Sequence, residues 1–244
     1  MQILGMSREE LLGLSHQDVG RHFLTSYEII YIAKILGAFW QYNYEAAKQG
    51  RVGMHALLKS GQHSDGFFVS RILLEPENIR EIIAHQMVMR IEEAEVPIPD
   101  YVAGIPKGAT ELGFEISKIM GTEHARMEKI GGRIRLTQQI NPNNSILLIE
   151  DFCTRGTGFA EGVMAVKEVQ PDACIFPYDP VIINRGGLER VSTAYGDFRV
   201  LPVVEMRIQD WDHEHCPLCE SGSRAIKPKE TDENWAALTS SQKE

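Results

Sequence analysis

Apolar residues recur at helical spacing through the first 50 positions, most clearly in SYEIIYIAKILGAFWQYNYEAAKQG. This spacing predicts a helical segment that closes on Gly50 as a C-cap. In HALLKSGQHSDGFFVSR the pattern changes to short apolar runs around a turn-rich centre, which predicts strand–loop–strand. Ile79, Ile82, Ile83, Met87, Val88 and Ile91 return to one helical face after Pro76, and VPIP ends that helix. From there the apolar runs are short and strand-like, in YVAGI, HARME, SILLIE and around residues 180–183, with helical stretches up to Gly121 and over about 158–169. Residues 128–144 read as a polar, basic, mobile loop or hairpin. The chain from Arg207 on reads as a polar, peripheral tail whose last dozen residues are disordered.

Strands that alternate with helices predict an α/β fold, a parallel-sheet core with flanking helices. Ligands of such sheets sit at the carboxyl ends of the strands. The loops after YVAGI, SILLIE and PVII would therefore meet at one site. The pattern divides the chain into an N-terminal helical segment and hood (1–75), an α/β core (76–206) and a polar C-terminal extension (207–244).

Composition narrows the function classes. With 244 residues, 43% apolar and 24% charged, the chain can bury a sizeable core without disulfides. A formal net charge of −9 argues against a nucleic-acid partner but leaves room for a local anion site. No apolar run is long enough to span a membrane, and the N-terminus lacks the basic start and cleavage-like site of a leader. Four scattered cysteines fit a cytoplasmic protein with free thiols.

The candidate chemistry centres on ILLIEDFCTRGTGF, residues 146–159. Gly156 and Gly158 let successive N–H groups turn inward as an anion nest, Thr154 and Thr157 add hydroxyl donors, and the helix that follows points its positive end there. An empty strand-to-helix turn is the plain alternative. The Walker A pattern is missing, and a dinucleotide fingerprint fails because position 161 is Glu161. Glu150 and Asp151 would repel a phosphate unless sugar hydroxyls lie between, which points to a phosphorylated ribose. Adjacent strand residues face opposite ways, so both acids reach one ligand only if the chain bends at 150–151; otherwise one of them is structural.

In length and order, ILLIEDFCTRGTG resembles the phosphoribosyl diphosphate (PRPP) motif of type I phosphoribosyltransferases. HALLKSGQHSDGFF, GIPKGATELG and VIINRGG are similar to the orotate branch of that family, and CPLCESGSRAIKPK is similar to extensions on some members; the likeness covers roughly residues 50–230. The resemblance implies transfer of the 5-phosphoribosyl group of PRPP to a nucleobase nitrogen, orotate first, with release of pyrophosphate and with Mg²⁺ as cofactor. It places Lys107 on the diphosphate, Glu150 and Asp151 on the ribose, and Thr154, Arg155, Gly156, Thr157 and Gly158 on the 5′-phosphate. Arg126 and Lys129 would contact PRPP, and Arg185 the orotate carboxylate. Met127 stands where family members carry a lysine. A homodimer is a further implication. A PRPP-binding regulator without catalysis, or a transferase for another base, are the competing readings.

Several residues keep a plain alternative. Lys107 could be a solvated lysine, Arg185 a turn residue, Lys59 a substrate contact or a loop cap. Phe67 and Phe68 pack a base or the core. His213, His215, Cys216 and Cys219 offer enough donors for zinc, but crowd into seven residues with no distant second half.

Overall fold

The computed structural model of the protein describes residues 2–243, which group into two compact units. The larger joins Met1–Ile32 to Ser70–Arg207, and the smaller joins Ala33–Val69 to Ile208–Glu244. The expected grouping, with 1–75 as one hood and 207–244 as a separate extension, differs at both ends. The first 32 residues side with the core because the helix Glu77–Glu93 holds them through two amides. Asn78 Nδ2 donates to the carbonyls of Leu11 (3.0 Å) and Leu14 (2.8 Å). Gln86, buried, accepts from the Leu24 N–H (2.7 Å) and donates to the His22 carbonyl (2.9 Å). That cover explains why the helix buries Ala84, Gln86 and Met89 as well as its expected face.

The core of the larger unit is a sheet in which Tyr101–Gly104, Ser145–Cys153, Tyr178–Asn184 and Gly196–Glu205 run parallel as neighbours. Glu123–His124 extends it at one edge, and Arg190–Thr193 closes the other edge antiparallel. Ile146, Leu147, Leu148 and Ile149 are all fully buried, so both faces of the central strand are covered, as a continuous apolar run requires. Helices Thr110–Met120 and Thr157–Val169 follow the first two of these strands. The α/β expectation with a parallel sheet and flanking helices holds.

Residues 127–136 are an ordered antiparallel hairpin, Met127–Ile130 with Arg133–Leu136. The hairpin form is as expected, but Met127, Ile134 and Leu136 enter a buried core cluster, so the segment is not polar throughout.

The smaller unit departs most from expectation. The single N-terminal helix is broken: Ser26–Ile35 ends, Gly37 turns the chain at φ 75°, and Phe39–Gln41 becomes a strand paired with Gly66–Phe68. A second small sheet orders Asp210–Trp211, His63–Ser64, Met54–Leu57 and Arg224–Ile226. The tail expected to be disordered forms a helix, Asp232–Ser240, capped by Thr231 and anchored by buried Leu238 and the Trp235 indole, whose N–H donates to the Gly37 carbonyl (3.1 Å).

Candidate active site

Three strand ends of the larger unit meet in register. Gly104 pairs with Ile149, and the Ile105 N–H donates to the Ile149 carbonyl (2.8 Å). Asn184 pairs with Cys153, and the Arg185 N–H donates to the Cys153 carbonyl (2.9 Å). The loops carrying Lys107, Asp151–Gly158 and Arg185 are therefore neighbours at the carboxyl edge of the sheet, where ligands of such folds bind.

The middle loop is built as an anion cradle. Gly156 takes φ 68° as the N-cap of Thr157–Val169, a conformation that a β-carbon disfavours. The N-cap position supplies no side-chain cap to that helix, and the Phe159 N–H turns down to the Glu150 carboxylate. Thr154 is half-buried, while Arg155 and Thr157 are exposed. Val191 closes over Gly156, where an added Cβ would stand 2.6 Å from it. The arginine loop lies against the same cradle: a Cβ on Gly186 would meet the Thr154 carbonyl oxygen at 2.0 Å.

The two acids separate. Asp151 is half-buried and lies on the lysine loop, close enough that a Cβ on Gly108 would meet its Oδ2 at 1.7 Å. Lys107, next in that loop, is exposed. Glu150 turns to the opposite face, as strand alternation demands, and is buried beneath the helix start, where a Cβ on Gly158 would stand 2.8 Å from its Oε1. Desolvation, with Asp179 and Asp151 nearby, pushes its carboxyl well above the usual range, against a hydrogen bond from the Phe159 N–H. The two acids therefore do not present side by side as ribose ligands; Asp151 is the one at the loop surface.

Sequence reasoning missed Asp179, a carboxylate inside the apolar strand YDPVIIN. It is fully buried, and neither oxygen has a well-formed hydrogen bond among the described residues. Burial pushes its carboxyl up to about 7, offset only in part by the nearby Cys153 thiol. Glu150, Cys153 and Asp179 bring one donor atom each to within 4.8 Å of one another. Both carboxyls thus hold their protons to higher pH than an ordinary carboxylate, and Glu150 supports the cradle from below.

The remaining expected residues divide between the two units. Arg126 and Lys129 are exposed at the base and on the first strand of the hairpin, and Met127 is buried in the core. In the smaller unit Lys59 is exposed. Phe68 is core, stacked on Phe39 with centroids 4.1 Å apart. Phe67 is half-buried between Trp235 (centroids 6.1 Å) and the Lys229 ammonium (5.6 Å). Cys216 and Cys219 do find a distant second half, but it is His55 and His63; His213 and His215 are not in that cluster.

No family model matches the chain. Among solved structures it is similar to orotate phosphoribosyltransferase from Aeropyrum pernix, with TM-score 0.53, 14% identity, and 72% of this chain and 93% of that one covered. It is also similar to Leishmania donovani UMP synthase, with TM-score 0.51, 18% identity, and 80% of this chain and 40% of that one covered. The fold is that of the type I phosphoribosyltransferases. The sequence is similar to proteins named orotate phosphoribosyltransferase. Proteins of that name from Nitratiruptor sp. (24% identical over 185 residues) and Wolinella succinogenes (27% over 185) each match 71% of this chain, and 90% and 88% of their own lengths.

Proposed function

We propose that the protein transfers the 5-phosphoribosyl group of PRPP to a ring nitrogen of orotate, releasing pyrophosphate and forming orotidine 5′-phosphate. The observation that carries this reading is the uncapped, glycine-turned cradle at Gly156, flanked in register by Asp151 and the lysine loop on one side and Arg185 on the other. Relatives named for this activity match most of their length, which supports the same substrate pair.

In this reading the N–H groups of 155–158 and the hydroxyls of Thr154 and Thr157 hold the 5′-phosphate. Asp151 accepts a ribose hydroxyl and fixes the sugar as its C1 gains positive charge. Lys107, Arg126 and Lys129 offset the diphosphate as it leaves, and Arg185 pairs with the orotate carboxylate. The half-buried Asp151 would hold Mg²⁺ and the buried Glu150 would not; bound with the diphosphate, the ion would spread the leaving group's charge. A homodimer in the cytoplasm belongs to the same proposal. On this chain no helix among the described residues is long and apolar enough to cross a membrane.

A panel of orotate, uracil and purine bases, each incubated with PRPP and Mg²⁺ and read by mass spectrometry of the nucleotide formed, tests the substrate. Orotidine 5′-phosphate is the expected product; a purine nucleotide would keep the class and overturn the base. One observation favours a second reading, a PRPP-binding regulator: Met127, at a family lysine position, is locked into the core. PRPP binding with no nucleotide from any base would select it.

A further inference from the structure

We propose that His55, His63, Cys216 and Cys219 form a closed, tetrahedral zinc site inside the smaller unit, tying the C-terminal segment to the strands of its sheet. One donor atom from each of the four lies within 4.8 Å of all the others. His55 Nε2 is 2.8 Å from His63 Nδ1, and Cys219 Sγ is 3.2 Å from His63 Nδ1 and 3.5 Å from His55 Nε2. Cys216 Sγ is 3.7 Å from His55 Nε2. A tetrahedron with ordinary zinc bonds has nitrogen–sulfur edges of roughly 3.6 Å and a nitrogen–nitrogen edge of roughly 3.3 Å. Each of these four separations lies within about half an ångström of the matching edge.

The polypeptide is organised to hold these donors. His55 sits on Met54–Leu57 and His63 on the antiparallel His63–Ser64, where Leu57 pairs with His63. The other half arrives from some 160 residues away: Cys216 caps the short helix Pro217–Glu220 and Cys219 lies within it, so that CxxC spacing turns both thiols to one side. Arg224–Ile226 then pairs parallel with Met54–Ala56, fixing the segment beside His55.

Burial and outer contacts match a structural metal. His55 is 0%, Cys216 1% and His63 3% exposed. Two thiolates and two neutral imidazoles around Zn²⁺ sum to zero charge, the only total that such a place holds cheaply. Loading would release the two thiol protons to solvent. The tautomer is set from outside. The Ser223 hydroxyl donates to the Gly53 carbonyl (3.2 Å), leaving its oxygen to accept from His55 Nδ1–H (2.9 Å). A neutral His55 then carries its lone pair on Nε2, aimed into the cluster, as metal-bound histidines are oriented. Soft sulfur with imidazole selects zinc over Mg²⁺ or Ca²⁺, and four protein ligands leave no open position for catalysis. Both cysteines are free thiols.

The test is metal analysis of the full-length protein, purified without chelator from zinc-supplemented cells. One zinc per chain is expected, retained by Cys174→Ser, whose thiol is exposed and outside the cluster, and lost in Cys219→Ser. Should Cys219→Ser fail to fold, cobalt replacement in the wild-type protein decides. Strong tetrahedral visible bands with a thiolate charge-transfer band are expected. Zinc well below one per chain together with weak, octahedral-type cobalt bands would overturn the site, as would a Cys216–Cys219 disulfide in the protein as purified or stoichiometric iron in place of zinc.

Discussion

Asp179→Asn is the substitution that separates support of the phosphate cradle from contact with the ligand. Asp179 is fully buried, its carboxyl is raised to about 7 from an ordinary 3.8, and its neighbour Glu150 is raised in the same direction. The folded protein thus keeps a proton up to about pH 7 that the unfolded chain surrenders near pH 4. Between those values the folded state binds more protons, so stability falls as pH rises. Three pKa units at roughly 1.4 kcal/mol each set a ceiling of about 4 kcal/mol, of which about 3 kcal/mol develops between pH 5 and pH 8. Asparagine keeps the shape, cannot ionise, and removes one cause of the Glu150 shift. Urea unfolding of both proteins across pH 5–8.5 should show a wild-type stability that declines and a variant profile that is much flatter. The two curves should converge at acid pH. Parallel curves, or a variant weaker by the same amount at every pH, would refute the buried, protonated pair.

Asp151→Asn should lower turnover by 10²-fold or more while leaving the unfolding midpoint nearly unchanged, since the half-buried carboxylate is assigned to the ribose and not to the core; steady-state kinetics with thermal melts check both. Gly186→Ala places a Cβ 2.0 Å from the Thr154 carbonyl oxygen, so the cradle must shift; a loss of about 1–3 kcal/mol in stability and weaker PRPP binding by calorimetry are expected. Arg185→Lys removes the planar fork, and should raise the KM for orotate at least tenfold with the Kd for PRPP unchanged.

The central strand could be read from the sequence because the apolar run SILLI, followed by two acids and a Thr-Gly turn, leaves few alternatives; Thr157–Val169 falls where the pattern puts it, and Ser145–Cys153 runs three residues past SILLIE. The alternation rule even posed the question that Glu150 and Asp151 answer, by pointing opposite ways. Short elements were illegible for physical reasons. Phe39–Gln41 continues the helical apolar spacing of Ser26–Ile35 with only Gly37 to mark the break, and strand pairing with Gly66–Phe68 decides its state. The hairpin 127–136 looks polar because Glu128, Lys129, Arg133 and Arg135 are exposed, while only Met127, Ile134 and Leu136 are buried. The helix Asp232–Ser240 has a polar surface and a few anchors, too sparse a signal next to a tail composition. His55 and His63 could not be matched to Cys216 and Cys219 from spacing, since some 160 residues separate the halves. Asp179 did leave a trace, a carboxylate where an apolar residue would be ordinary.

The most direct measurement of the central claim is the rate of pyrophosphate release when PRPP, Mg²⁺ and orotate are supplied together, compared with each omission and with Asp151→Asn. The cradle flanked by Asp151, the lysine loop and Arg185 predicts release only with both substrates present, in step with loss of orotate, and strongly reduced in the variant. Release that does not depend on orotate, or none with any base despite PRPP binding, would contradict it.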